Sequence, residues 1–292
     1  MKEYLIEFFK RFDYDESDSK ILLATYDKIV DSPEAFKIWN NIISTYEKDF
    51  MCDKSLLIAD ADSVALKIDE PEYTLELLML ICMTKHLEYL YNERNISQLY
   101  FEKSVLDLKY KLEECKLVYG IVGTFVSLWL IKFFELKLFG IGRLQFEIVA
   151  LGEEYAKNGI HLYKDSKVIN VHIPRSGEKL TEEACYESYH LAKEFFMKDI
   201  QMDPCPFMCS SWLLYPEHEQ ILPKESNIYK FFKSFDIISS KVDKSRYDLW
   251  RLFDTFEMNP DKLPNDSSVR RAYINHLKKG GNVGTGKGIL FV

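Results

Sequence analysis

No glycine occurs before Gly120, and only Pro33 and Pro71 interrupt the first half of the chain. Turn-rich β architecture needs both residues, so that half is predicted to be helical. Positive charge is in deficit. The formal net charge is −8 and the pI about 5.4, which excludes a protein that coats nucleic acid. It also means that an anionic ligand must be held by local donors, because the overall field repels it. Cysteine is sparse: Cys52, Cys82, Cys115, Cys185, Cys205 and Cys209 are scattered, and only the last two lie close together. Such spacing excludes a disulfide framework and reads as reduced thiols of a cytoplasmic protein. A zinc site needs about four ligands, so no metal is expected. The longest apolar run, LVYGIVGTFVSLWL from Leu117 to Leu130, falls short of the ~20 residues of a membrane span, and Lys132 and Glu135 follow it. It reads as a buried helix, with no membrane partner. The opening MKEYLIEFFKRFDYDESDS is acidic and aromatic, unlike a signal peptide.

What is present divides the chain. Ten of the 12 glycines and seven of the nine prolines lie at or beyond residue 140. The expected class is α+β: an all-helical N-terminal domain over residues 1–140, then a mixed α/β domain over 141–292. Asp31-Ser32-Pro33 places a cap before a proline at the first helical position. Ala35, Ile38, Trp39, Ile42, Ile43 and Tyr46 then recur at helical spacing. Further helices are predicted after Asp69-Glu70-Pro71, after Ser97, and from about Val122 to Leu138.

Beyond Gly142 the period changes to two. Arg143, Gln145 and Glu147 share one face of a strand predicted to be wet. Ile160 to Tyr163 reads as a strand that could pair with the next one across the turn at Lys164-Asp165-Ser166. In Val168–Ile173, Asn170 and His172 point one way and Ile169 and Val171 the other. After Pro174 come the turn RSGEK and a helix opened by Thr181, with Ala184, Ser188, Leu191, Ala192 and Phe195 as its expected stripe. A strand, a tight turn and a helix N-terminus together can seat an anion on backbone N–H groups. Phe207 to Tyr215 reads as a central buried strand. Tyr229 to Ile238 and Tyr247 to Phe256 read as a strand hairpin. Val269 to Lys279 reads as a helix, followed by a glycine-rich stretch and a last strand over 289–292. That stretch, Gly281 to Gly288, nearly spells a P-loop. It has Gly288 where Ser or Thr must hold magnesium, and it follows a helix.

Five ordered segments carry a resemblance: GRLQFE (Gly142–Glu147), HIPRSGEKLT (His172–Thr181), CSSWLLYP (Cys209–Pro216), LPKESNIYKFFKSF (Leu222–Phe235) and HLKKGGNVGTGKG (His276–Gly288). The chain resembles a family of two-domain bacterial acyltransferases, in which a helical domain precedes a domain similar to the GNAT (general N-acetyltransferase) fold. The resemblance implies acyl-CoA (acetyl-CoA or longer) as co-substrate, in a cleft where the fourth and fifth strands splay apart. It further implies transfer to an amine of a small molecule or peptide. Ile173, Arg175, Ser176, Gly177 and Thr181 would meet the cofactor, with Lys287 reaching a phosphate. The turn departs from the family pattern, because Glu178, Glu182 and Glu183 crowd it with carboxylates. Either those side chains point away, or CoA binds differently, or the domain no longer binds it.

Direct amine acylation needs a base, donors for the oxyanion, and an acid for the thiolate. The base candidates are His172 and Glu147, and the acid candidate is Tyr215. Each has a bland counterpart: a turn histidine bonded to backbone, a Glu147–Arg143 pair on the sheet, a packing tyrosine. His276 reads as a satisfied core histidine and Asn227 as a turn cap. Two rival readings stay open, a GNAT-like binding module that has lost CoA and a hydrolase acting through Cys209 or Ser211.

Overall fold

Ser32 accepts a hydrogen bond from the Ala35 amide, with Pro33 in the first turn. Helix formation starts there for the reason the sequence suggests. The computed structural model describes residues 1–157 and 159–292 and divides into two units, Met1–Gly140 and Ile141–Val292.

The first unit holds α1 (Lys2–Arg11), α2 (Glu16–Asp31), α3 (Pro33–Lys48), α4 (Lys54–Ile68), α5 (Glu72–Glu93), α6 (Gln98–Tyr119) and α7 (Ser127–Phe134). α3 buries Ala35, Trp39, Ile42, Ile43 and Tyr46, a stripe at spacings of three and four. α5 buries every residue from Thr74 to Thr84. A helix apolar on all sides belongs in the middle of a bundle, and this one packs with α2, α3, α4, α6 and α7. The last helix is shorter than predicted and begins at Ser127, not Val122. Gly123 lies against α5 so closely that a Cβ would stand 2.4 Å from the Tyr73 carbonyl carbon, and the Thr124 amide bonds the Tyr73 carbonyl at 3.0 Å. The apolar run from Leu117 is thus broken. Among the described residues no helix is long and apolar enough to cross a membrane.

The second unit is built on a six-stranded sheet of order β1-β2-β5-β6-β8-β7. β1 (Leu138–Ile141) crosses the boundary between the units, and β2 (Leu144–Ala150), β5 (Lys167–His172), β6 (Pro206–Ser211), β7 (Asp236–Val242) and β8 (Gly284–Phe291) lie within the second. β3 (Tyr155–Lys157) and β4 (Ile160–Leu162) pair with each other in a separate ribbon, so the expected pairing of Ile160–Tyr163 with the following strand is replaced. β5 instead runs antiparallel to β2 and parallel to β6. The crossover between β5 and β6 is α8 (Glu182–Phe195). α8 buries Cys185, Ser188, Tyr189 and Ala192, a stripe turned slightly from the one predicted. Tyr189 meets Phe207 at 5.2 Å and Phe146 at 6.3 Å between ring centroids, and burying such a ring is worth about 1.5–3 kcal/mol. The opposite face packs Val168, Met208 and Ile289 against Leu151, Tyr155 and Leu162.

Several expectations for the C-terminal third are corrected. Tyr229–Ile238 is not one strand: α10 (Asn227–Lys233) occupies its start, and β7 begins only at Asp236. Ser226, not Asn227, caps α10 by accepting from the Tyr229 amide. Tyr247–Phe256 forms a 3-10 turn (Tyr247–Leu249) and α11 (Trp250–Phe253), so there is no hairpin, and β7 pairs with β8. β6 ends at Ser211, whose hydroxyl accepts from the Leu213 amide and starts the turn Trp212–Leu214. α9 (His218–Ile221) follows it, and α12 (Ser268–Lys278) precedes β8. Gly284, Gly286 and Gly288 lie within β8, which begins five residues before the predicted last strand. Their role is close packing: a Cβ on Gly286 would stand 1.9 Å from the Leu214 carbonyl oxygen.

Candidate active site

β2 and β5 place Gln145 opposite His172 and Glu147 opposite Asn170. Directly opposed residues share a face, so four polar side chains meet on one patch of sheet. His172 Nε2 lies 2.8 Å from Glu147 Oε1. Asn170 Nδ2 donates to the same oxygen at 3.1 Å and stands 3.0 Å from His172 Nε2. The face expected to be wet is buried: Gln145 is 3% exposed and Glu147 6%. Alternation identified the polar face but could not say what covers it. The His172 side chain keeps 19% of its surface in solvent, so the pair is enclosed on the carboxylate side and approachable at the imidazole.

β5 and β6 are paired only at Ile169–Phe207 and Asn170–Met208. β5 continues to His172, while β6 stays paired with β8 as far as Ser211–Gly286. The two parallel strands therefore part company just past Asn170, and His172 stands on the departing arm.

The turn after β5 is held from two sides. Arg143 donates to the carbonyl oxygens of Pro174 and Glu178, each at 3.1 Å, and so serves the turn, where the sequence reading had set it against Glu147. Arg175 meets both carboxylate oxygens of Asp254, which also accepts from Arg270 Nη2 at 2.5 Å. Burial pushes the Asp254 carboxyl up, but the two guanidinium groups outweigh it and hold the group below its ordinary value. Asp254 and Arg270 lie far along the chain, and no local signal connected them to Arg175. Gly177 takes φ +75°, and a Cβ there would meet nothing within 4 Å; it is the backbone angle that calls for glycine.

At the start of α8, Thr181 Oγ1 accepts from the Ala184 amide at 3.3 Å. The Glu183 carboxyl is held below its ordinary value by its own backbone N–H and by the Thr181 hydroxyl. Glu182 turns aside to Lys230, at 3.0 Å. The amides proposed as an anion seat are thus partly occupied by Thr181 and Glu183, and an incoming phosphate would have to displace the latter. Ser176 Oγ accepts from the Glu178 amide at 3.3 Å, and Ile173 follows the end of β5. Lys287 lies on β8, where its ammonium meets the Leu151 carbonyl oxygen and, at 2.9 Å, Glu153.

Tyr215 makes a pairing of its own. Its hydroxyl donates to Glu217 at 3.0 Å. Burial, and then the Glu217 carboxylate, push the phenol up to about 12, a poor match for protonating a thiolate. Glu217 Oε2 also meets His276 Nε2 at 2.8 Å, so His276 is satisfied as expected, but it keeps 19% of its side-chain surface in solvent and is not a core residue. Next to it, the wholly buried His218 was missed in the sequence. Its Nδ1 lies 2.9 Å from the Leu213 carbonyl oxygen, and Nε2 meets the Tyr273 hydroxyl. Burial pulls its imidazole down to about 4. Cys209 is fully buried, and burial alone pushes its thiol far up. Neither it nor the capping Ser211 is set as a nucleophile. Among the described residues no group of three or more His, Cys, Asp or Glu side chains could hold a metal ion.

In the helical unit, a cleft of about 370 Å³ is lined by Ile58, Phe125, Leu128, Asp62 and Glu76, among others. Burial pushes the Glu76 carboxyl up to about 7, and Asp62 adds to that.

A family model described as GNAT-like C-terminal domain matches residues 138–290, and one described as N-acyltransferase N-terminal domain matches residues 3–136. The chain belongs to this two-domain acyltransferase family. No individually curated protein matches the sequence. Among solved structures, the family member is similar to an acyltransferase in complex with decanoyl-CoA and teicoplanin. The identity is 20% and the TM-score 0.72, over 98% of this chain and 86% of the other. A mutant acyltransferase in complex with octanoyl-CoA is similar at 20% identity and TM-score 0.73, over 99% and 88%. At such identity the likeness establishes the fold.

Proposed function

We propose that this acyltransferase moves an acyl group from acyl-CoA to an amine of a small molecule or peptide, by direct attack and without a covalent enzyme intermediate. The observation that carries the reading is the His172–Glu147 pair on the arm of β5 that leaves β6. Glu147 orients the imidazole through one buried oxygen, and the half-enclosed imidazole takes the proton from the attacking amine. The acyl chain is proposed to be longer than acetyl, because related structures carry octanoyl- and decanoyl-CoA. The teicoplanin complex of one of them supports a peptide-type acceptor. Arg175, Ser176, Gly177 and Thr181 remain the proposed cofactor contacts, with Glu183 and Asp254 as the groups that a phosphate must displace. Tyr215 is not retained as the acid, since its proton is already committed to Glu217.

The rival, a binding module that no longer takes CoA, rests on the occupied start of α8 alone. A melting experiment separates the two. Acyl-CoA at about 100 times its Kd stabilises a one-site protein by ~2.7 kcal/mol. A rise of several degrees with decanoyl-CoA is the result expected. No rise at millimolar acetyl-, octanoyl- and decanoyl-CoA would leave the binding module.

A further inference from the structure

Two polar atoms beside the His172–Glu147 pair are buried and have no hydrogen-bond partner: Gln145 Nε2 and Asn170 Oδ1. The residues are 3% and 9% exposed. Unsatisfied buried groups are costly and few in native interiors, and each calls for an explanation. Two on neighbouring strands of one sheet face call for a common one.

The orientation of the Asn170 amide is fixed by its neighbour. An ionised carboxylate accepts only. Asn170 must therefore turn its nitrogen to Glu147, which leaves the carbonyl oxygen as a spare acceptor. Gln145 sits across from His172, with a spare donor. Asn170 is also the last β5 residue paired with β6, so its side chain lies where the two strands separate.

Aminolysis of a thioester calls for one extra acceptor and one extra donor next to the base. The amine nitrogen forms a bond to the carbonyl carbon, and negative charge gathers on the carbonyl oxygen, which requires a donor. One amine proton passes to the imidazole–carboxylate pair, and the N–H that remains requires an acceptor. The C–S bond then breaks with its electrons on sulfur, and the proton ends on the thiol. We propose that Gln145 donates to the thioester carbonyl oxygen and that Asn170 accepts from the attacking amine, both being reached when a substrate enters between β5 and β6. This deepens the acyl-CoA reading and rests on it.

The test uses the full chain, decanoyl-CoA with a free acceptor amine, and a non-reactive thioether analogue of decanoyl-CoA. Gln145→Met keeps the length of the side chain and removes the donor. Its kcat should fall about 100-fold, the scale of a lost oxyanion donor, with the analogue's Kd unchanged and the melting temperature not lowered. Gln145→Glu, which puts an acceptor where a donor is needed, should lose as much and serves if the first variant folds poorly. Asn170→Ala should raise KM for the amine more than KM for decanoyl-CoA. Normal kcat in either Gln145 variant overturns the assignment while leaving the acyl-CoA reading in place. A wild-type chain that neither binds the analogue nor transfers the acyl group overturns both.

Discussion

His172 and Glu147, 25 residues apart in sequence, meet at 2.8 Å across the β2–β5 ladder. They are diagonal neighbours, since His172 lies opposite Gln145 and Glu147 opposite Asn170. The histidine therefore leans along the strand toward the carboxylate. That contact ties the sheet's register to the proposed chemistry. His172→Ala and Glu147→Gln should each lower kcat by roughly 10²–10⁴, the range of a positioned general base, without abolishing binding of an acyl-CoA analogue. The check is steady-state kinetics beside an analogue titration. Equal losses of kcat and binding would mean that the pair only shapes the sheet.

Glu183 is the second point of test. Its carboxylate takes its own amide and the Thr181 hydroxyl at the start of α8. Glu183→Gln removes the charge that a pyrophosphate must displace. If CoA uses these amides, its Kd should tighten several-fold, while the free protein loses the favourable meeting of that charge with the positive end of the helix dipole and melts slightly lower. Isothermal titration against CoA reads the first effect and thermal melting the second. An unchanged Kd would place the pyrophosphate elsewhere.

His218 predicts an acid-sensitive fold. Burial lowers its pKa from 6.5 to about 4, so the unfolded chain binds the extra proton throughout that window. Stability contributed by the neutral imidazole is complete above pH 6.5 and is lost as pH falls toward 4, by a total of about 3 kcal/mol at 1.36 kcal/mol per pKa unit. Melting temperatures of the wild type and His218→Gln, measured from pH 7 to pH 4, should converge as pH falls. Parallel curves would contradict a buried neutral histidine.

Gly286 should not tolerate a side chain. A Cβ there would strike the Leu214 carbonyl oxygen at 1.9 Å, and backbone cannot yield as a flexible side chain can. Gly286→Ala is expected to cost more than ~3 kcal/mol, above the usual range of single substitutions. Gly177→Ala meets no such obstacle and should cost only the ~1–2 kcal/mol of a left-handed residue. Denaturant titration of the two variants should preserve that order.

Much of this was legible from residue patterns. The absence of glycine, Ser32-Pro33 and the 3.6-residue stripe of α3 identified the helical unit. Period-two alternation assigned Glu147 and His172 to definite strand faces. Alternation does not fix which strands pair, so the meeting of these two residues, and the pairing of β3 with β4, needed coordinates. The misread segments share a cause. Aromatic and branched residues in Tyr229–Ile238 and Tyr247–Phe256 suit strands, but Ser226 caps a helix over the first and Asp254, at φ +58°, ends a short helix in the second. In Gly284–Gly288 the glycines reflect close approach by Leu214, Tyr215 and Phe235, which composition alone reads as flexibility.

The most direct measurement is thiol release from decanoyl-CoA by the wild type and Glu147→Gln, across a panel of peptide and small-molecule amines, with products weighed by mass spectrometry. At least one amine is expected to gain the acyl mass, with release dependent on that amine and slowed roughly 10²-fold or more in the variant. Transfer at equal rates by both proteins would contradict the role given to Glu147.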